Sequence, residues 1–228
     1  METSMARLAS GQRINAARDD SAGLAIASRL TSEARGLDMA ARNAADAQAM
    51  VDTIESSHNE IHSILQRMRE LAVQGANDTN GTADRSNIRT ELNALRDEID
   101  AISTNTMWAG QALISASADF IYQLGDAGSE NITVTTSLVT SSALSVSTTS
   151  NLSTAAAFTS FINTVNSAIA TIATYRASYG AVSNRLDHTM SNLATNSEAV
   201  KASLGRIQDT DFAAETTNLA KQQILQQA

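Results

Sequence analysis

The chain has 228 residues, of which 43% are hydrophobic and 4% aromatic, and its formal net charge is -8. It contains no cysteine, which excludes disulfides and cysteine-based metal sites, and its negative charge disfavours binding to a nucleic-acid backbone. No stretch approaches the ~18 apolar residues of a membrane-spanning helix, and the lack of proline permits long uninterrupted helices.

A first long helix is predicted from Asp19 and Asp20, whose carboxylates can cap a helix start, to Val73 or Gln74. Apolar or small residues repeat every seven positions along it, which is typical of a helix that packs along a seam. The two rows are Leu30, Leu37, Ala44, Val51, His58, Leu65 and Ala72, and Ala40, Ala47, Ile54, Ile61 and Met68. At ~1.5 Å per residue such a helix is roughly 80 Å long, which predicts an elongated molecule.

Residues 75–84, GANDTNGTAD, are rich in turn-forming residues and end this helix. A second helix is predicted from about Asp84 to Ser103. Within it, Arg96 and Asp100 lie four residues apart, so we expect them to pair on its outer face.

Residues 104–153 are dominated by serine and threonine and lose the helical period. The alternating segments 120–124 and 131–135 predict a β-hairpin, and residues 144–148 a further short strand through Leu144, Val146 and Thr148. An isolated hairpin is only marginally stable, so we expect it to pack against the helices.

A third long helix is predicted from about 155 to 207, again with a seven-residue apolar row. That row is Phe158, Val165, Ile172, Tyr179, Leu186, Leu193, Val200 and Ile207. We expect the two long helices to run antiparallel with the chain ends together, and a last helix after Gly205 to be capped by Asp209 or Asp211. The fold class is therefore mainly α: an antiparallel helical bundle or coiled-coil rod with a mid-chain β-hairpin.

Residue chemistry favours neither an enzyme nor a cofactor-binding protein. No nucleophile-elbow or phosphate-loop motif occurs. His58 and His62 lie four residues apart and could share a divalent metal, but the simpler interpretation is a partly buried helix histidine. What remains is a structural or interaction protein.

Four segments, residues 8–37, 65–80, 179–193 and 205–228, resemble bacterial flagellins in order along the chain. The resemblance fails only in the Ser/Thr-rich middle, which is too short to hold the outer domains of many flagellins. It implies an extracellular filament subunit that is exported through the flagellar channel, with an export chaperone and the filament cap as partners. This route would explain why the first residues lack a signal-peptide core.

The resemblance also implies a domain organisation. We expect residues 1–18 to be a connecting segment of the N-terminal polymerisation region, residues 19–207 the helical core with the hairpin region 104–153, and residues 208–228 the start of the C-terminal polymerisation helix. Neither end carries a stop signal, so we expect the native protein to continue past both and a shortened chain to stay monomeric.

A contact site follows from the segment LQRMRELAVQ. By resemblance, Arg67, Leu71, Gln74 and Glu91 would contact the animal Toll-like receptor for flagellin. The simpler interpretation is that this face packs against the next subunit in the filament, and both can hold, because a monomer exposes what a filament hides.

Three alternatives stay open at this point. The nearest is the hook–filament junction protein, a relative of flagellin. A surface adhesin or polysaccharide binder would use the Ser/Thr-rich middle with its aromatics Trp108, Phe120 and Tyr122. A metal-dependent enzyme would depend on His58 and His62.

Overall fold

The computed structural model describes residues 2–125, 128–149 and 151–227. The helices in these ranges are α1 (Glu2–Ser10), α2 (Ser21–Gly75), α3 (Thr82–Asn105), α4 (Ala155–Gln208) and α5 (Phe212–Gln227). The predicted bounds of α2, α3 and α4 are confirmed to within a few residues, whereas α1 was not predicted.

In the same described ranges, four short strands form two hairpins. Strands β1 (Met107–Trp108) and β2 (Gln111–Ala112) pair antiparallel, and β3 (Asp119–Gln123) pairs with β4 (Asn131–Thr135). The second hairpin is the predicted one. The first was not predicted, although its turn contains Gly110 at a φ of 80°, a left-handed conformation that glycine adopts without strain.

Carboxylates start α2 and α5 as the sequence predicts. Asp20 Oδ1 accepts from the Gly23 amide at 2.8 Å and caps α2. Asp211 Oδ1 accepts from the Ala213 amide at 2.9 Å and caps α5. Asp19 instead accepts from two amides of the preceding turn, and these bonds hold the pKa of its carboxyl below the usual value.

The chain divides into two compact units. The terminal unit comprises Met1–Asn43, Gln123–Glu130 and Thr189–Ala228, and the central unit comprises Ala44–Tyr122 and Asn131–His188. Both long helices contribute a part to each unit.

In the terminal unit, the first part of α2 packs against the last part of α4. Leu37, Ala40 and Leu193 form a buried cluster, and Asp38 accepts hydrogen bonds from Lys201 and Ser197, each at 2.8 Å. These two donors hold the pKa of Asp38 below its usual value.

The N-terminal and C-terminal segments of the terminal unit lie side by side. The Arg13 amide donates to the Gln208 carbonyl at 2.7 Å, and the Thr210 amide donates to the Gly11 carbonyl at 3.0 Å. Arg7 on α1 pairs with Glu215 on α5 at 3.9 Å. The prediction that the two chain ends lie together is thus confirmed.

In the central unit, α2 and α4 run antiparallel, because partners that are later on α2 are earlier on α4. Gln48 Nε2 donates to Ser183 Oγ at 2.8 Å, and Glu55 pairs with Arg176 at 2.8 Å one heptad further along. Arg69 Nε donates to Asn166 Oδ1 at 2.8 Å, again in this order.

The predicted heptad rows form the core. Every member is buried except three that are half-buried, Leu30, Val200 and Ile207. The β3–β4 hairpin leans on the helices as expected, since Tyr122 contacts Met50 Sδ through its hydroxyl at 3.1 Å and Tyr179 contacts the segment after β4.

Two local predictions were wrong. Residues 141–145 form a turn rather than a strand: the Leu144 amide donates to the Thr140 carbonyl, and Ser145 has a φ of 60°, so an extended conformation is impossible there. The hydroxyl and amide of Ser141 donate to Asp100 at 2.7 and 2.8 Å. Arg96 therefore pairs with Asp97, at 2.7 Å, and not with Asp100.

One stretch of α4 reaches a mean hydropathy of 1.2 over 18 residues, which is long and apolar enough to cross a membrane by length and composition alone. The prediction that no stretch approaches such a composition was therefore too strict. Phe158, Val165 and Ile172 of this helix are buried in the protein core, although only 28% of the apolar stretch is buried.

Candidate protein-contact surface on α2 and α3

The turn between α2 and α3 places the two helices side by side. Arg85 on α3 reaches back and donates to the carbonyls of Gly75 and Asn77 at 3.1 and 3.2 Å. Asn80 donates through its side-chain amide to the Gln74 carbonyl. The bonds to Gln74 and Gly75 occupy carbonyl groups that the end of α2 leaves without helical partners.

This arrangement brings Arg67 and Glu91, 24 residues apart in sequence, into contact. Arg67 Nη2 and Nε approach Glu91 Oε1 at 2.8 and 3.1 Å, and Nη1 approaches Glu70 Oε2 at 3.1 Å. The two carboxylates, Glu91 more than Glu70, raise the pKa of Arg67 above its usual value. The three side chains are between 47% and 68% exposed, so this network is a surface feature and contributes little to stability.

Beside this network lies a groove with a volume of about 320 Å³. Its lining residues come from the end of α2, the turn and the first half of α3: Leu71, Gln74, Asn80, Asp84, Asn87, Ile88 and Glu91. We call this groove together with Arg67 and Glu70 the Arg67 surface.

The four predicted contact residues lie together on the Arg67 surface but at different depths. Arg67, Gln74 and Glu91 are exposed, whereas Leu71 is only 2% exposed and lines the groove from within the core. Met68, one turn from Leu71, is fully buried, so it packs in the core and does not reach the surface.

Sequence reasoning missed the other lining residues, chiefly Asn80, Asp84 and Asn87. Asn87 lies one helical turn before Glu91, so the period of α3 could have placed it on the same face. Asn80 and Asp84 could not be found in this way, because the bend of the turn brings them to the groove.

The histidines take no part in this surface. His58 is fully buried in the central unit, where its ring stacks on Tyr179 at a centroid distance of 5.3 Å. His62 Nε2 lies 2.9 Å from the Gln66 amide nitrogen. Across residues 2–125, 128–149 and 151–227, no three His, Cys, Asp or Glu side chains are grouped so as to hold a metal ion.

Long antiparallel helices, terminal segments that lie side by side and a candidate contact surface are typical of a structural or interaction protein. Residues 1–119 match the family model of the bacterial flagellin N-terminal helical region, and residues 162–228 match that of the C-terminal helical region.

Full-length relatives agree with these matches. A flagellin of Halalkalibacterium halodurans is 37% identical over 229 residues, covering 100% of this chain and 84% of the relative. A flagellin of Bacillus subtilis is 34% identical over 263 residues, covering 100% and 86%.

The chain therefore belongs to the bacterial flagellin family, whose members are structural subunits of the filament of the extracellular bacterial flagellum.

Solved structures support the same fold. The crystal structure of Bacillus cereus flagellin superposes with a TM-score of 0.60 at 34% identity, covering 67% of this chain and 88% of the other. A putative flagellar hook-associated protein from Vibrio parahaemolyticus superposes with a TM-score of 0.70 at 17% identity, covering 84% and 100%. At that identity the second likeness concerns the fold alone.

Proposed function

We propose that the Arg67 surface is the part of this filament subunit that binds the animal Toll-like receptor for flagellin, and that it packs against a neighbouring subunit once the filament has formed. The observation that supports this proposal is the exposed, preorganised ion-pair network of Arg67 with Glu70 and Glu91 beside an open groove. A partner protein that binds this surface would contact a guanidinium held in place, a carboxylate and an apolar groove floor. Such an arrangement suits protein recognition, where arginine is enriched.

The preorganisation matters because binding otherwise costs side-chain entropy. A free arginine loses much of its rotamer freedom when it is fixed at an interface. Here Glu91 already holds Arg67 by two hydrogen bonds, so part of the side-chain entropy of Arg67 is lost on folding and not on binding. Leu71 contributes through its place on the groove floor, where it keeps the groove shape.

The test is receptor signalling by purified, dissociated subunit with Arg67→Ala. We expect roughly a thirtyfold higher concentration to be needed for half-maximal signalling, the effect of a contact residue worth about 2 kcal/mol. The matched control is Arg69→Ala, which removes an exposed arginine of the same helix that binds Asn166 instead.

Circular dichroism should show that both variants keep the helical fold. An unchanged signalling curve for Arg67→Ala, or equal losses for Arg67→Ala and Arg69→Ala, would contradict the assignment. Intact filaments should signal less than the same mass of dissociated subunit, because neighbouring subunits cover the surface.

We also propose that other subunits cover α5 in the filament. Before the subunit is exported through the flagellar channel and assembled under the cap, the flagellar export chaperone covers α5 instead. Apolar side chains of α5 support this: Phe212, Ile224 and Leu225 are more than half exposed, which is costly for a free surface. Hydrogen–deuterium exchange checks this proposal, since α5 should gain protection on polymerisation and on mixing with the chaperone.

A further inference from the structure

We propose that Asn80 is a site of spontaneous deamidation, and that the capped turn between α2 and α3 slows this reaction in the folded protein. Asn80 is followed by Gly81, and no other asparagine in the chain is followed by glycine. Since glycine has no side chain, its backbone nitrogen is the least hindered of any residue towards the preceding side-chain amide. Neither this reaction nor its protection by the turn requires a receptor to bind the Arg67 surface.

The chemistry needs only water as a second reactant. The Gly81 backbone nitrogen loses its proton and attacks Cγ of Asn80, the Cγ–Nδ2 bond breaks, and ammonia leaves with that proton. The resulting five-membered succinimide is opened by water at one of its two carbonyls. The product is aspartate, or isoaspartate with the main chain routed through the side chain.

The structure holds both reacting groups. The Gly81 amide donates to Asp84 Oδ2 at 3.0 Å as the first turn of α3 begins, and the leaving amide of Asn80 donates to the Gln74 carbonyl. Attack requires the Gly81 nitrogen to leave Asp84 and turn towards Cγ, so the turn must first open. Asparagines followed by serine, Asn166 and Asn196, lie inside α4, where the backbone is held by helical hydrogen bonds.

Deamidation would also damage the turn that it modifies. The carboxylate of an aspartate cannot donate to the Gln74 carbonyl, and it would add a negative charge at the C-terminal end of α2, where the helix dipole is already negative. Asp84 lines the same groove, which adds repulsion between like charges. Isoaspartate lengthens the backbone between the two helices as well.

The experiment compares the folded chain with the chain in urea, both incubated at mildly alkaline pH. Peptide mapping by mass spectrometry follows the mass gain at each asparagine, and an isoaspartyl methyltransferase assay detects the rearranged product. We expect Asn80 to react first in urea, ahead of Asn166 and Asn196, and to react much more slowly in the folded chain.

Two variants separate the causes. Gly81→Ala should suppress the reaction in urea, and the fold should accept it because an added Cβ meets only Asp84 Oδ2, at 3.4 Å. Asp84→Ala should speed the reaction in the folded chain roughly fivefold to tenfold, as expected when one capping interaction is lost.

Equal rates in the folded and unfolded wild-type chains would overturn the protective role of the turn. So would an Asp84→Ala chain that reacts no faster, or more slowly, than wild type. If the Asp84→Ala chain fails to fold by circular dichroism, the comparison of folded and unfolded wild type still decides. An Asn80 that stays unmodified in urea ends the proposal outright.

Discussion

Protonation of His58 should destabilise the central unit at acidic pH. His58 occupies a row of otherwise apolar α2 positions and is fully buried. Its ring stacks on Tyr179 and lies 6.2 Å from the ring of Tyr175, and within the described part of the chain neither ring nitrogen has a hydrogen-bond partner. An imidazolium in this position would be a buried charge without an acceptor.

Burial, with a smaller contribution from the nearby Arg176 guanidinium, lowers the pKa of His58 to about 4 from an ordinary value of 6.5. Glu55 lies about one helical turn before His58, but its charge is already paired with Arg176 at 2.8 Å. Because the folded state binds the proton more weakly than the unfolded state, stability is full above pH 6.5. It is lost as the pH falls from there towards 4.

The size of the effect follows from the same two pKa values, 6.5 and about 4. At about 1.4 kcal/mol per pKa unit, the histidine contributes about 2–3 kcal/mol to the loss of stability between about pH 7 and about pH 4.5. Carboxylates titrate over part of this range too, so a comparison with variants is needed to isolate the histidine.

The assay is urea unfolding followed by circular dichroism at a series of pH values. His58→Phe keeps a ring for the stack on Tyr179 and removes the titration, so its unfolding free energy should depend less steeply on pH by the amount above. The control is His188→Gln, which removes an exposed histidine of α4 and should leave the wild-type slope. Parallel pH profiles for wild type and His58→Phe would refute the reasoning, whatever the absolute stability of the variant.

Two further predictions concern packing and a buried hydroxyl, both read from urea unfolding. Gly75→Ala should destabilise by about 1–3 kcal/mol, because the new Cβ would lie 2.5 Å from a ring carbon of the buried Phe158. Gly180→Ala, where nothing lies within 4 Å, should instead stabilise α4 by about 0.5–1 kcal/mol, and the same sign for both would contradict the argument. Tyr179→Phe should cost about 1 kcal/mol, since the Ser137 amide and Thr135 carbonyl lose their partner; an equal loss for Tyr175→Phe would point to general aromatic packing.

The sequence was sufficient to predict the long helices, because the residues that define each helix lie close together in sequence and their pattern repeats many times. In α4, an apolar residue at every seventh position forms the buried row from Phe158 to Leu193. One polar residue in that row would leave the pattern recognisable. Asp20 and Asp211 mark helix starts by a bond to an amide two or three residues away, so the signal and its effect lie together in sequence.

Sequence reasoning failed where the partner of a side chain lies far along the chain. Asp100 has a basic residue one helical turn before it, yet it accepts from Ser141, 41 residues later. Leu144 and Val146 alternate with polar residues as a strand would, but Leu144 is buried within a turn and Val146 directly after it. Their apolar character was interpreted correctly, and only their backbone conformation was not.

For the Arg67 surface, the sequence by itself determined that Arg67, Leu71 and Gln74 follow one another on a helix close to a turn, since helical spacing needs no further information. Only the tertiary structure decided that α3 folds back so that Glu91 reaches Arg67, and that Leu71 lies beneath the surface. The physical reason is that an ion pair and a buried fraction are properties of two elements in contact. Both depend on the direction that the turn at residues 76–81 gives to α3. The periodicity within either helix does not specify that direction.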